Sequence, residues 1–266
     1  MTLAYEALRQ VTPTAAVVLA DNPSAMTLDG TNTWLLRDDP SRRAAVVIDP
    51  GPDDEAHLRA VLDAAGSVPL ILLTHGHADH SAGAGRLAEL TGAPVLALDP
   101  AHRYGGQGLA EGAVLDGAGV RTEVWATPGH TADSLCFVLP SLFGASAEPA
   151  AVLTGDTILG RGTTVVAHPD GVLADYLYSL RRLAELTGVA VLPGHGAELS
   201  DAGAAAQAYL SHREQRLAQV RAALGAGDGT AEEIVRRVYA DVDRVLWPAA
   251  ELSVRAQLAY LRATEG

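Results

Sequence analysis

At 266 residues, with 48 % hydrophobic and 19 % charged side chains, the chain can bury a sizeable core, as one domain or as a domain with an appendage. Its formal net charge of -13 argues against a broad phosphate-binding surface, and its apolar runs are strand-sized, as at residues 68–73, which excludes a bilayer-spanning helix. A single cysteine, Cys136, excludes an internal disulfide framework, and the N-terminus lacks a basic-then-apolar leader, so the expected location is the cytoplasm.

In chain order, short β-type runs at 15–19, 33–36 and 44–48 come first, followed by an amphipathic helix over 53–65. A strand at 68–73 leads to a helix at 82–91 and a strand at 95–98. Strands are predicted again at 120–126, 135–139 and 151–153, then a helix at 173–186 and a last strand at 189–192. Strands and helices mixed in this order indicate an α/β or α+β layered domain. The stretches 105–108 and 144–147 read as loops. Beyond about residue 201 the pattern is helical only. A long helix covers 204–224, with Leu210, Leu217, Val220 and Leu224 on one face, and a glycine-rich break ends it. Thr230-Ala-Glu-Glu233 is a capping box opening a second helix, and Trp247-Pro248 starts a third. The chain therefore divides into a main domain at 1–203 and a helical, winged-helix-like segment at 204–266. Eight arginines in that segment face eight acidic residues, so it carries no DNA-binding footprint, and its expected role is to pack against the main domain.

The chemistry is concentrated at strand ends. Leu70-Ile-Leu-Leu-Thr-His75-Gly-His77-Ala-Asp79-His80 is a buried strand running straight into three histidines and an aspartate. Imidazole and carboxylate suit zinc, and such a cluster would repel itself in acid while serving no packing purpose. The same grammar of strand, small turn and ligand recurs in Trp125-Ala-Thr-Pro-Gly-His130, Val152-Leu-Thr-Gly-Asp156 and Val191-Leu-Pro-Gly-His195. Outside these positions, His57, His102 and His212 stand in polar helical or loop contexts and read as solvated. Cys136, between Leu135 and Phe137, reads as a buried small hydrophobe.

The HxHxDH pattern at His75 to His80 resembles the metallo-β-lactamase superfamily. The resemblance spans about residues 12–200 and implies a four-layer αββα sandwich with the site at one edge between the sheets. It implies that His75, His77 and His130 bind one metal, that Asp79, His80 and His195 bind a second, and that Asp156 bridges both. The expected cofactor is two Zn2+ per chain, with Mn2+ or Fe2+ as alternatives. Two adjacent metals would lower the pKa of a bound water, with Asp79 and Asp156 the catalytic carboxylates. Gly30-Thr31-Asn32-Thr33-Trp34, Ile48-Asp49-Pro50-Gly51 and the stretch from Gly155 to Thr164, together with the helical tail, look like the lactamase-beta-2-like branch, which includes endoribonucleases. That likeness implies phosphodiester hydrolysis of single-stranded RNA as the leading activity, with a small thioester, ester or β-lactam as the alternative substrate. An iron redox enzyme with the same ligands is a third reading, opposed by the lack of a flavin-binding domain. Asp49 is expected to support the ligands from behind. Asn32, Thr163, Thr164 and His168 are candidates for the substrate cleft, and Arg161 is the candidate to hold a phosphate.

Overall fold

Two sheets stack face to face, and helices cover their outer faces. The computed structural model describes residues 4–140 and 149–265, so the loop expected at 144–147 lies outside the described residues. The first sheet holds β1 (Leu8–Gln10), β2 (Ala15–Leu19), β3 (Asn32–Leu36), β4 (Val46–Ile48), β5 (Ile71–Leu72), β6 (Val95–Ala97) and β7 (Gly105–Gly108) in sequence order. It is antiparallel from β1 to β4 and parallel from β4 to β7. The second sheet holds β8 (Val114–Gly117), β9 (Val120–Ala126), β10 (Leu135–Pro140), β11 (Pro149–Gly155) and β12 (Ala190–Pro193). Its β11 and β12 are parallel, and β10 runs against both β9 and β11. Strands β9, β11 and β12 therefore point the same way, and their C-terminal ends share one edge of the sandwich.

Alternation along the strands separates three layers of core. Phe137 and Leu139 face inward with Trp34, Ile48, Leu72 and Leu153, filling the space between the sheets. The opposite face of the first sheet packs Leu35, Val47 and Ile71 against Leu58 and Val61 of α1 (Glu55–Ala65) and Leu87 of α3 (Ala84–Thr91). A single helical turn, α2 (Ala78–Ser81), precedes α3. The outer face of the second sheet offers Cys136, Val138 and Val152 to α4 (Leu173–Leu183). Cys136 is the buried hydrophobe its neighbours predict, and burial pushes its thiol up to about 11.

Three C-terminal helices extend that last layer: α5 (Ala202–Gly225), α6 (Ala231–Val238) and α7 (Trp247–Glu265). Leu217, Val220, Ile234, Val254, Leu258 and Leu261 join the cluster that contains Tyr176 and Leu180 of α4. The capping box forms as spaced, with Thr230 Oγ1 accepting from Glu233 N and the Glu233 carboxylate accepting from Thr230 N. No helix among the described residues is long and apolar enough to cross a membrane.

Residues 105–108 are not a loop but the edge strand β7, paired in parallel with β6. Glycine conceals the strand because it has no apolar side chain to alternate, yet the close approach requires it: a Cβ on Gly106 would lie 2.5 Å from the Val95 carbonyl oxygen. Strands β1 and β8 also escape the hydrophobic pattern, since their largely exposed residues leave no buried face to read.

Candidate metal centre

The seven expected ligands converge at the edge where β5, β9, β11 and β12 end. His75 and His77 follow β5, and α2 presents Asp79 and His80 from one turn. His130 lies four residues past Ala126, the end of β9, Asp156 directly follows β11, and His195 lies two residues past β12. The glycines before these ligands allow the elements to close up. Gly129 takes φ +138, and a Cβ there would sit 2.2 Å from the Tyr176 Cα. A Cβ on Gly194 would lie 2.8 Å from Asp156 Oδ1, inside the cluster itself.

The donor atoms form two groups: His75, His77, His130 and Asp156 in one, and Asp79, His80 and His195 in the other, with all donor atoms of a group within 4.8 Å of one another. In the first, His77 Nδ1 is 3.0 Å from His75 Nε2 and 3.1 Å from His130 Nε2. In the second, His80 Nε2 and His195 Nε2 are 3.2 Å apart, and Asp79 Oδ2 is 3.1 Å from His195 Nε2. Asp156 faces both groups. Its Oδ1 is 3.4 Å from both His80 Nε2 and His195 Nε2, and its Oδ2 is 3.7 Å from His130 Nε2.

The outer ring nitrogens identify the tautomers. His80 Nδ1–H donates to Asp49 Oδ2 at 2.9 Å, His130 Nδ1–H to the Val165 carbonyl at 2.6 Å, and His195 Nδ1–H to the Gly30 carbonyl at 3.1 Å. Thr74 gives its hydroxyl proton to Asp49 Oδ2, so it accepts from His75 Nδ1–H at 3.0 Å. Four rings therefore turn Nε2 inward, toward one another and toward Asp156. Lone pairs facing lone pairs in a buried cluster repel unless a cation lies between them, and Asp156 Oδ1 is buried without a hydrogen-bond partner. The donor set fits divalent metal ions.

Burial holds His75 and His130 below the ordinary histidine range, keeping their lone pairs free. Burial opposes charge on Asp156, His80 and His195, but their mutual attraction outweighs it. The carboxyl is held well below the usual range and both rings are raised, His195 to about 9, so positive charge is favoured where a metal ion would sit.

The remaining candidates are placed as follows. Asp49, at φ +50, accepts from Thr74 N, Thr74 Oγ1 and His80 Nδ1, so it orients His80 from behind. Left-handed backbone is unfavourable for a non-glycine residue, and these three bonds hold it there. Removing them with Asp49→Ala is expected to weaken metal binding about 10–100-fold. Chelator competition reads that change, and wild-type affinity in the variant would contradict the role.

Asn32 points into protein, its Nδ2 donating to the Pro193 and Gly196 carbonyls, so it fixes the turn bearing His195 and does not face the cleft. Thr163, Thr164 and Arg161 line a cavity of about 230 Å³ beside His130 and Asp156. Arg161 is tied to Asp29 through both terminal nitrogens and holds that carboxyl below the usual range. His168 lies in a separate depression with Thr230, Arg255 and Arg262. Of the histidines read as solvated, His57 is 0 % exposed, bonded to Thr33 Oγ1 and Glu6 Oε2. Sequence reasoning missed this pairing because Glu6 lies 51 residues away in a segment with no motif. It also missed Thr74 and Gly30, whose roles reside in a hydroxyl and a carbonyl that residue type does not advertise.

The metallo-beta-lactamase superfamily matches residues 26–195, a span holding all seven convergent residues. The chain belongs to that superfamily. Residues 230–265 match the beta-lactamase associated winged helix domain, so α6 and α7 fall within it. A beta-lactamase-like protein 2 homolog from Drosophila melanogaster is 32 % identical over 277 residues, covering 96 % of this chain and 90 % of the relative. An atrochrysone carboxyl ACP thioesterase from Passalora fulva is 31 % identical over 248 residues, covering 87 % and 70 %. The crystal structure of a beta-lactamase domain protein from Burkholderia ambifaria superposes with a TM-score of 0.80 at 22 % identity, over 99 % of this chain and 90 % of that one, which shows the shared fold. As a member of that superfamily, the chain is a metal-dependent hydrolase with an αββα core and a helical C-terminal domain.

Proposed function

We propose that the chain hydrolyses a small thioester with an apolar acyl group, using two zinc ions held by His75, His77 and His130 on one side and Asp79, His80 and His195 on the other, with Asp156 between them. The observation that carries the substrate class is the wall of the adjoining cavity: Met26, Leu28, Leu159, Val165 and Leu246 surround the approach to His130 and Asp156. Such a wall takes hydrocarbon. Arg161, the guanidinium expected to hold a phosphate, is already paired with Asp29, and the chain carries a net charge of -13. Both weigh against RNA, whose capture depends on free cations. The thioesterase named among the relatives supports the same direction.

Bound zinc supplies Lewis acidity, polarising the scissile carbonyl and making water easier to deprotonate. The chain's own residues do the rest. Asp79, its side chain 30 % exposed, is the open-side carboxylate, where it orients the attacking water and accepts its proton. The apolar cavity seats the acyl group and excludes competing water. Addition of water to the carbonyl carbon and cleavage of the C–S bond yield a carboxylic acid and a thiol, the proton passing to the leaving sulfur.

The test is turnover of zinc-loaded protein on acyl thioesters of increasing chain length and on single-stranded RNA. Thioester turnover is expected to rise with acyl size until the cavity is full, with RNA left intact. Met26 is 51 % exposed, so Met26→Asp leaves the core untouched; it is expected to raise KM for apolar substrates at least about tenfold, since burying such a side chain contributes about 1.5–3 kcal/mol. RNA cleavage with inert thioesters would overturn the proposal.

A further inference from the structure

His130 is steered by contacts that end in the C-terminal helices. Its Nδ1–H donates to the carbonyl of Val165. That carbonyl shares one rigid peptide plane with the N–H of Val166, which donates on its other side to Ser253 Oγ of α7 at 3.2 Å. The preceding plane is also held: Arg213 of α5 donates from Nη2 to the Thr164 carbonyl. Arg213 is 2 % exposed, its Nε has no partner, and its guanidinium lies 5.2 Å from the centroid of the Tyr176 ring. Among the described residues no carboxylate pairs with it. A buried cation without a counter-charge is a poor way to fill space, which a methionine would fill without desolvating a charge. What the guanidinium does that methionine cannot is donate to the 164–166 segment.

We propose that Arg213 is a positioning residue for His130: with Ser253 it locks residues 164–166 so that the Val165 carbonyl aims the His130 Nε2 lone pair into the metal cluster. The C-terminal helices thereby set the geometry of a ligand supplied by the main domain. This rests on reading His130 as a metal ligand, and the experiment separates the two.

The variants are Arg213→Met, Arg213→Lys and Ser253→Ala in the full-length chain, followed by thermal unfolding, zinc affinity by chelator competition and the visible spectrum of Co2+-substituted protein. Arg213→Met is expected to melt cooperatively yet bind one of its ions about tenfold more weakly, with an altered cobalt spectrum. Arg213→Lys, which keeps a donor, is expected to recover part of that loss, and Ser253→Ala to shift the spectrum in the same direction. Folded variants with wild-type affinity and spectrum would overturn the proposal. If Arg213→Met does not fold, Ser253→Ala decides alone, because it acts on the peptide plane that His130 contacts. A wild-type chain that takes up no zinc or cobalt overturns the ligand reading itself, an outcome distinct from intact metal binding in the variants.

Discussion

Asp156→Ala is expected to lose more activity than any other single exchange in the cluster. No other side chain in it sends one oxygen to each group: Oδ1 faces His80 and His195, and Oδ2 faces His130. Removing it takes a negative donor from both groups at once and leaves Asp79 as the one carboxylate among the seven residues. Lewis-acid stabilisation of the developing charge is worth several kcal/mol, so the rate should fall about a thousandfold or more. Metal content should fall with it, from the proposed two ions per chain to one or fewer. Asp156→Asn sharpens the test, since it preserves shape while removing charge and should behave like the alanine variant. Asp79→Ala, which strips a carboxylate from one group only, should retain an ion in the other. An Asp156→Ala preparation that keeps two ions and near-wild-type turnover would remove the bridging role.

How much of this centre was legible in advance follows from where its information lies. The convergent residues were readable because each sits just past an apolar run, and strand alternation is a local signal. The β2 and β9 strands match their predicted bounds, β2 as a nearly continuous buried run and β9 through alternation of buried and exposed residues, both local signals. What the sequence concealed is non-local. His57 looks like a surface histidine of an amphipathic helix, and only its meeting with Thr33 and Glu6 makes it a buried one. Asn32 and Arg161 are polar residues in suggestive motifs, but a side chain's direction depends on partners at Pro193, Gly196 and Asp29 that no spacing rule connects to them. His168 was misleading for a related reason: it follows the cavity wall in sequence, yet the chain turns there and delivers it to a different surface.

Removing residues 204–266 is expected to leave an insoluble or molten remainder. The outer face of the second sheet and α4 form one continuous apolar cluster with α5, α6 and α7. Without those helices, Tyr176, Leu177, Leu180 and Leu183 of α4 lose much of their cover. Fully burying a side chain of this size contributes about 1.5–3 kcal/mol, whereas a whole domain is stable by only about 5–15 kcal/mol. Uncovering a handful of them is therefore enough to abolish the folded state, and the exposed patch favours association. The loss also reaches the site, because Ser253 and Arg213 hold the 164–166 segment and Leu246 belongs to the cavity wall. Size-exclusion chromatography and circular dichroism of the 1–203 fragment should show aggregates or a non-cooperative melt, and metal binding should fail along with the fold. A soluble, cooperatively melting fragment that keeps both ions and loses only one class of substrate would instead make the C-terminal helices a recognition module laid over a self-sufficient catalytic domain.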